Sequence, residues 1–316
     1  MDSTKVSASS HTGYYFTATA AILWAVSGAA AKYLFQNGVT PFQLVQMRLT
    51  IAAAGLFLFL LVRHPSLLRI ARSDILYFAI YGCMGMAGVQ FTYLFAISKI
   101  HVAAAILLQY LGPGLIALHA VVFFRDRLKP VTVMALAGSL SGCYLVVGAY
   151  NLDALALNLL GIISGLMSAV TFAWYSIQGE YGMRKYSPWT VLFYAMFNGA
   201  LTWNVFHPPL EGFRHAWSPL VWGWIMFIGI LGTLVPFGLY LQGINLIRST
   251  RASITATLEP ITAGVLSFLF LNEIMEFWQV LGAVLVIFSV VMLQLNQEHD
   301  EKAPAMMRTH HDTNQP

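Results

Sequence analysis

Long apolar runs are the feature of this chain that most constrains its fold. A helix that crosses the hydrocarbon core of a bilayer needs about 20 apolar residues, because each residue advances the helix by about 1.5 Å. The chain has ten runs of about this length, and short polar or turn-forming segments separate them. They cover 14–35, 41–62, 74–98, 102–124, 130–149, 155–180, 188–206, 218–246, 250–271 and 276–295. The sequence therefore predicts an all-α integral membrane protein with ten transmembrane helices.

Composition supports this prediction and excludes several other classes of protein. Of the 316 residues, 58% are hydrophobic and only 9% are charged, whereas a soluble chain carries about 25% charged residues. A soluble globular protein, a secreted disulfide scaffold, a disordered protein and a nucleic-acid-binding protein are therefore excluded. We expect no nucleic-acid partner, and we expect the lipid bilayer to surround the chain.

The distribution of Lys and Arg among alternate loops predicts the orientation. If the N-terminus is cytoplasmic, the cytoplasmic loops hold ten of these residues and the opposite loops and helix ends hold three. Cytoplasmic loops of membrane proteins carry such an excess, so both termini are expected in the cytoplasm. The flanking segments are expected to be a polar N-terminal tail over 1–13 and a disordered cytoplasmic tail over 296–316.

The chain also contains an internal repeat with an offset of 147 residues. At this offset the second segment pairs with the seventh, and each of the five segments of the first half has a partner. Matching residues are Pro41 and Pro188, Tyr93 and Tyr240, Pro113 and Pro260, and Asp126 and Glu273. The two repeats cover 14–149 and 155–295.

Because each repeat has five segments and five is an odd number, the second half enters the membrane with opposite polarity. Such inverted repeats are common in secondary transporters, which bind substrate near the midplane and alternate access; a duplicated membrane scaffold is the alternative.

Two ionisable residues are predicted deep in the membrane, where such side chains are costly. At 1.5 Å per residue, Arg48 lies roughly 11 Å from the outer edge and Glu259 roughly 13 Å from the inner edge of a core about 30 Å thick. A salt bridge between them is possible only if their side chains reach far enough towards each other.

Burial away from water favours the neutral form of a carboxyl group, so Glu259 is a candidate proton or substrate-amine site. Arg48 is a candidate substrate-carboxylate site or gating residue. The alternatives are a structural buried pair, or an Arg48 side chain that extends to the membrane interface.

Other polar and aromatic residues within the spans are candidates for a substrate pocket. A polar side chain in a span should face a cavity or another helix, because lipid offers no hydrogen-bond partner. Anchoring at the membrane interface is the alternative for Trp and Tyr. The pocket candidates are Tyr93, Tyr240, Gln90, Gln109, Tyr110, Trp24, Trp174 and Tyr175. Pro113 and Pro260 interrupt equivalent helices and are candidate hinges or gates, with static bends as the alternative.

Known catalytic and metal-binding motifs are absent. The chain has no Gly-x-Ser-x-Gly, no His-Glu-x-x-His, no phosphate-binding loop and no cluster of metal ligands. These motifs supply the nucleophile, the metal or the phosphate cradle in the corresponding enzymes. We therefore expect no enzyme activity, no cofactor and no metal.

Several local motifs resemble those of a known family. They are Trp24-Ala25, Arg48, the stretch Leu108-Gln109-Tyr110-Leu111-Gly112-Pro113, the stretch Phe124-Arg125-Asp126-Arg127-Leu128, the stretch Thr257-Leu258-Glu259-Pro260, Leu271-Asn272-Glu273 and Leu281-Gly282-Ala283. Together with the repeat, they resemble the drug/metabolite transporter superfamily of the EamA type over 14–295. The resemblance implies export of amino acids or small metabolites across a bacterial cytoplasmic membrane, energised by protons. Uptake or exchange of another small solute is one alternative, and a membrane scaffold or sensor without transport is another.

Overall fold

In the computed structural model, residues 3–123, 128–151, 158–271, 276–296 and 303–313 are described, and these ranges contain no β-strand. Ten helical spans follow one another in the predicted order. They are α1 (Ser3–Gln36), α2 (Pro41–Arg63), α3 (Arg72–Lys99), α4 (Val102–Gln109 and Gly112–Val122), α5 (Pro130–Val146), α6 (Leu159–Met183), α7 (Pro188–Phe206), α8 (219–247), α9 (249–271) and α10 (Phe277–Leu295). An eleventh helix, α11, covers Pro304–Thr313. The loop motif 124–127 and the segment 272–275 lie outside the described residues.

Within the described residues, seven helices are long and apolar enough to cross a membrane. These seven account for eight of the ten spans. One of the seven runs from Pro219 to Leu266 and contains two spans, because Arg248 has φ 65° and ψ 164° and interrupts the helix. The shorter apolar helix Pro130–Val146 and the 19-residue helix Pro188–Phe206 complete the set. The predicted all-α, ten-helix architecture is confirmed.

Both ends of the chain differ from the sequence expectation. The first helix begins at Ser3 rather than near residue 14, since no proline interrupts the polar segment and each added helical residue gains a hydrogen bond. At the other end, part of the tail that was expected to be disordered forms α11. Arg308 of this helix donates from Nη2 to Asn245 Oδ1 (2.7 Å) and from Nη1 to the Tyr186 carbonyl (3.1 Å). These tertiary contacts have no signature in the local hydrophobic pattern.

The repeat is visible where equivalent helices meet. Helices α5 and α10 occupy matching places in the two halves and pack against each other. A Cβ atom built on Gly142 would lie 2.8 Å from the Gly282 carbonyl oxygen, and one built on Gly282 would lie 2.7 Å from the Gly142 carbonyl oxygen. The two backbones therefore approach each other closely at this point, and small residues permit such an approach.

Two π-helical segments also obey the repeat. Tyr81–Ala87 widens α3 and Ile230–Leu234 widens α8, and both end at positions 147 residues apart. Each overlaps a Gly-x-x-Gly pattern, formed by Gly82 and Gly85 in α3 and by Gly229 and Gly232 in α8. Such segments are rare, and they are found most often at functional sites.

The helix that packs on each widened segment is also repeated. On α3, a Cβ atom at Gly82 would collide with Asn198 of α7. On α8, a Cβ atom at Gly229 would lie 2.8 Å from Ile51 Cγ2 of α2. Since Ile51 and Asn198 are themselves 147 residues apart, each half places its second helix against the third helix of the other half. This exchange joins the two halves into one bundle.

The Gly282→Ala substitution tests the close contact between α5 and α10. The new methyl group would lie 2.7 Å from the Gly142 carbonyl oxygen and from the Val146 amide nitrogen, and backbone atoms have little freedom to move away. We expect a cost of about 1–3 kcal/mol and a lower melting temperature of the detergent-solubilised protein. Gly223→Ala is the matched control, because no heavy atom lies within 4 Å of its added Cβ. Equal melting temperatures for the two variants would contradict this close packing of α5 against α10.

Candidate functional site

A small cavity lies between the two halves of the bundle. Its volume is about 30 Å³, room for about one or two water molecules. Helices α1 to α4 of the first half and α6, α8 and α9 of the second half contribute side chains. The lining residues are Trp24, Ser27, Gly28, Arg48, Val89, Gln90, Tyr93, Leu94, Gln109, Tyr110, Phe172, Phe237 and Glu259. The cavity therefore combines one carboxyl group and one guanidinium with aromatic rings and amides.

Glu259 is the acidic residue of the cavity, and its side chain is held by the opposite half. The residue is only 5% exposed. Its Oε1 accepts a hydrogen bond from the Tyr93 hydroxyl at 3.1 Å, and its Oε2 accepts one from the Tyr110 hydroxyl at 2.9 Å. A buried carboxyl group needs such partners, because burial without hydrogen bonds costs several kcal/mol. The two tyrosines come from α3 and α4, so this carboxyl group links the halves.

Pro260 explains a further contact of Tyr110. Proline has no N–H group and therefore leaves the carbonyl four residues earlier without its helical partner, which in α9 is the carbonyl of Ala256. The Tyr110 hydroxyl lies 2.5 Å from this oxygen. The helix is interrupted at the same place by a turn at Thr257. Thus α4 supplies the hydrogen bond that the proline removes from α9.

Arg48 also lines the cavity and is 3% exposed. Its Nε donates to Thr233 Oγ1 at 2.7 Å and its Nη2 donates to the Gly232 carbonyl at 2.9 Å. Both acceptors belong to the π-helical segment of α8, and Thr233 also donates to the Ile228 carbonyl at 2.7 Å. Arg48 therefore stabilises the widened turn. The alternative in which its side chain extends to the membrane interface is wrong.

The candidate salt bridge between Arg48 and Glu259 is not formed. Among the ion pairs of the described residues, none joins these two side chains. Both side chains nevertheless line the same cavity. The carboxyl group and the guanidinium are thus held apart by hydrogen bonds to other groups.

An aromatic wall closes the cavity around Trp24. Its ring centroid lies 5.0 Å from that of Phe237, 5.2 Å from that of Tyr240 and 6.4 Å from that of Phe172. The Trp24 Nε1 atom is buried and has no hydrogen-bond partner in the described part of the chain. A buried donor without a partner is uncommon, so this indole N–H is available to an acceptor that enters the cavity.

Seven of the ten residues predicted for the site line the cavity. They are Glu259, Arg48, Tyr93, Gln90, Gln109, Tyr110 and Trp24. Tyr240 does not, because its hydroxyl pairs with Ser176 Oγ at 2.9 Å and its ring packs behind Trp24.

Trp174 and Tyr175 also lie outside the cavity. Successive helical residues turn by about 100°, so the turn of α6 that directs Phe172 to the cavity directs Trp174 away from it. Trp174 is accordingly 38% exposed. Tyr175 stacks on Tyr81, with a centroid distance of 5.3 Å.

The two predicted hinge prolines both lie at helix interruptions. Pro113 is in the first turn of Gly112–Val122, directly after the break in α4. Pro260 is near the start of Leu258–Leu271, directly after the break in α9. Their role as moving gates stays a prediction.

Sequence reasoning missed Phe172 and Phe237 in the cavity wall. Phe237 could have been found, because it lies 147 residues after Gln90. Phe172 carries no such signal, since a phenylalanine in an apolar span looks like any other packing residue.

Glu180, outside the cavity, was also missed. Its Oε1 pairs with Arg248 Nε at 3.0 Å, and its Oε2 accepts from the Ser249 backbone N–H at 2.8 Å. These contacts hold the junction between α8 and α9, where Arg248 has a positive φ. In the sequence, Glu180 stands at the edge of an apolar run and looks like an ordinary helix end.

Ten spans in two related halves, with a polar cavity between them, define a polytopic membrane transporter. The chain belongs to the EamA-like transporter family, whose model matches residues 11–148 and 159–295. These two matches coincide with the two repeats. The protein is therefore a multi-pass membrane transporter and not an enzyme.

Individual relatives agree with this assignment. The chain is 29% identical over 287 residues to the uncharacterised inner membrane transporter YicL of Salmonella typhimurium, covering 90% of this chain and 95% of the relative. It is 24% identical over 271 residues to the threonine/homoserine exporter RhtA of the same species, covering 83% and 84% of the two chains. A solved crystal structure superimposes with a TM-score of 0.71 at 20% identity, covering 90% of this chain and 97% of the other. That structural likeness shows the fold.

The Thr233→Val substitution tests the role of Arg48 in the widened turn of α8. Valine has nearly the same shape as threonine but leaves the Arg48 Nε donor buried without its acceptor. We expect a loss of about 1–3 kcal/mol of stability, measured as a lower melting temperature in detergent. Thr202→Val is the control, because Thr202 donates only to the Asn198 carbonyl within its own helix. A Thr233→Val protein as stable as the control would contradict this role.

Proposed function

We propose that the protein is a secondary active exporter of amino acids or related small metabolites in a bacterial inner membrane. It works by alternating access between its two halves and is coupled to protons. The observation that carries the proposal is Glu259, a carboxyl group buried at the junction of the halves and held by two hydroxyl groups rather than by a cation. Similarity to the threonine/homoserine exporter RhtA supports export, and similarity to the inner membrane transporter YicL supports an inner membrane location.

The side chains of the cavity match a small zwitterion. Glu259 offers a carboxylate to an amine, and the aromatic rings beside it attract a cation through their π faces. The Trp24 indole N–H and the Arg48 guanidinium, which line the same cavity, are donors for a carboxylate. Since the indole has no partner in the described residues, a bound carboxylate would satisfy a donor that is otherwise buried at a cost.

Exchange of substrate for a proton follows from one carboxyl group. An anionic Glu259 binds the ammonium group of the substrate, whereas a protonated Glu259 has no charge to offer it. The proton and the substrate therefore compete for one site. When the substrate leaves on one side of the membrane, Glu259 is free to bind a proton there, and when the proton leaves on the other side, Glu259 is free to bind substrate again. With the proton gradient directed inwards, this competition drives substrate outwards.

The size of the cavity indicates how access must change. About 30 Å³ is far smaller than the roughly 300–1,000 Å³ of a drug-sized binding site. The halves must therefore separate on one side before a substrate enters. Two related halves, joined by exchanged helices, supply two equivalent ways to open.

The Glu259→Gln substitution tests the proton and substrate site. Purified protein in proteoliposomes is assayed with a panel of labelled L-amino acids that includes threonine and homoserine, with and without a pH gradient. Glutamine keeps the size of the side chain but neither titrates nor attracts an amine, so flux driven by the gradient should be lost while the protein stays folded. Glu211→Gln is the control, since Glu211 pairs with His207 in a loop outside the cavity.

Different outcomes of this assay distinguish the alternatives. Normal gradient-driven flux in the Glu259→Gln protein contradicts the proposed site. Substrate movement in the same direction as protons makes the protein an importer. A wild-type protein that moves none of the tested solutes contradicts the proposed substrate class.

We propose that both termini are cytoplasmic, as the excess of Lys and Arg in alternate loops indicates. In a variant that lacks Cys83 and Cys143, single cysteines replace Asn37 or Ser66, which are both exposed and lie in consecutive loops. A membrane-impermeant maleimide should label Asn37→Cys in intact cells and Ser66→Cys only after permeabilisation. The reverse pattern would invert the proposed orientation.

A further inference from the structure

The Tyr110 hydroxyl has more acceptors than hydrogens. It lies 2.5 Å from the Ala256 carbonyl oxygen and 2.9 Å from Glu259 Oε2. A tyrosine hydroxyl donates one hydrogen bond and accepts others. It therefore donates to only one of these oxygens at a time, and the state of Glu259 decides which.

The two protonation states of Glu259 give two hydrogen-bond patterns. As a carboxylate, Glu259 is an acceptor only, so it takes the Tyr110 hydrogen and leaves the Ala256 carbonyl without a donor. When a proton from the aqueous phase binds Glu259, the new O–H group donates to the Tyr110 oxygen, and Tyr110 donates to the Ala256 carbonyl. The protonated pattern contains one more hydrogen bond, and it ties α4 to the main chain of α9.

We propose that Tyr110 is a positioning residue that transmits the protonation of Glu259 to the break in α9. The inference rests on the proposed function, in which Glu259 carries the coupled proton. It adds the structural consequence of that proton. Pro260 is essential to this link, because Pro260 has no N–H group and so leaves the Ala256 carbonyl free to accept a hydrogen bond from Tyr110.

No other described group around Glu259 reproduces this arrangement. The titratable and charged groups that face it are Tyr93 of α3, Tyr110 of α4 and Cys143 of α5, with Arg48 of α2 in the same cavity. Of these, Tyr93 donates to Glu259 Oε1 and Arg48 is bound to α8. Only Tyr110 joins the carboxyl group to the main chain of α9.

Hydrogen–deuterium exchange of the purified full-length protein in lipid nanodiscs measures this link without a substrate. Peptides that cover 249–258 report the stability of the segment that ends at the break. Labelling is done at acidic and at alkaline pH, with labelling times scaled to cancel the intrinsic pH dependence of exchange. One additional hydrogen bond, worth about 1 kcal/mol, should slow exchange of this segment about fivefold in acid.

Matched variants separate the link from a general effect on the carboxyl group. Tyr110→Phe and Tyr93→Phe each remove one hydrogen bond to Glu259, but only the former removes the bond to Ala256. The pH-dependent difference in exchange should vanish in Tyr110→Phe and persist in Tyr93→Phe. Pro260→Ala restores an N–H group for the Ala256 carbonyl, so the difference should be reduced there even if Tyr110→Phe folded poorly. Glu259→Gln, which does not titrate, should show no difference at any pH.

The results that overturn the inference differ from those that overturn the proposed function. If exchange in the wild-type protein does not depend on pH, or if Tyr110→Phe keeps the full wild-type difference, the link is wrong. In both cases gradient-driven flux that still requires Glu259 leaves the proposed function standing. If instead flux is independent of Glu259 while exchange behaves as expected, the proposed proton coupling fails and the hydrogen-bond switch remains.

Discussion

The structure depends on one constraint, that every backbone polar group inside a bilayer needs a hydrogen-bond partner within the protein. A helix meets this requirement by itself except where it is broken. In α9 the break occurs at Pro260, and the carbonyl that is left over is bound by Tyr110 from the other half of the molecule. In α8 the widened turn exposes the Gly232 carbonyl, which is bound by Arg48, again from the other half. At these two places a helix does not satisfy its own backbone, and the other half of the molecule supplies the missing partner.

The fold is nearly symmetric, but the chemistry of the site is not. The position related to Glu259 by the repeat is Gly112, and the position related to Arg48 is the buried Ala195. Neither of these residues carries a charge. The two halves therefore repeat the backbone fold, but only one half supplies the carboxyl group and only the other supplies the guanidinium. This combination suits an exchanger. Two similar halves allow the bundle to open on either side, while a single carboxyl group ensures that one site serves both openings.

Much of the fold could be predicted because it depends on length and period. The apolar runs located the spans, and the common offset located the halves and paired Pro113 with Pro260. Glu259 and Arg48 were found because charges are costly in a span and stand out by residue type. The partners of Arg48 could not be predicted, because depth along the membrane normal says nothing about the direction of a side chain. The helical conformation of Pro304–Thr313 was missed for a similar reason, since it depends on contacts such as that between Arg308 and Asn245.

The π-helical segments explain why the face of a helix was harder to predict than its position. A π turn holds one more residue than an α turn, and one residue corresponds to a rotation of about 100°. Residues that follow such a segment therefore point in a direction that an uninterrupted helical period does not give. Both segments end at equivalent positions, and Gln90 of α3 and its repeat partner Phe237 of α8 both line the cavity. Repeat-related residues beyond the segments nevertheless meet different partners. Tyr93 reaches Glu259, whereas its repeat partner Tyr240 pairs with Ser176, because the position equivalent to Glu259 is Gly112 and offers no carboxyl group. The two walls of the cavity therefore share a backbone plan but carry different side chains.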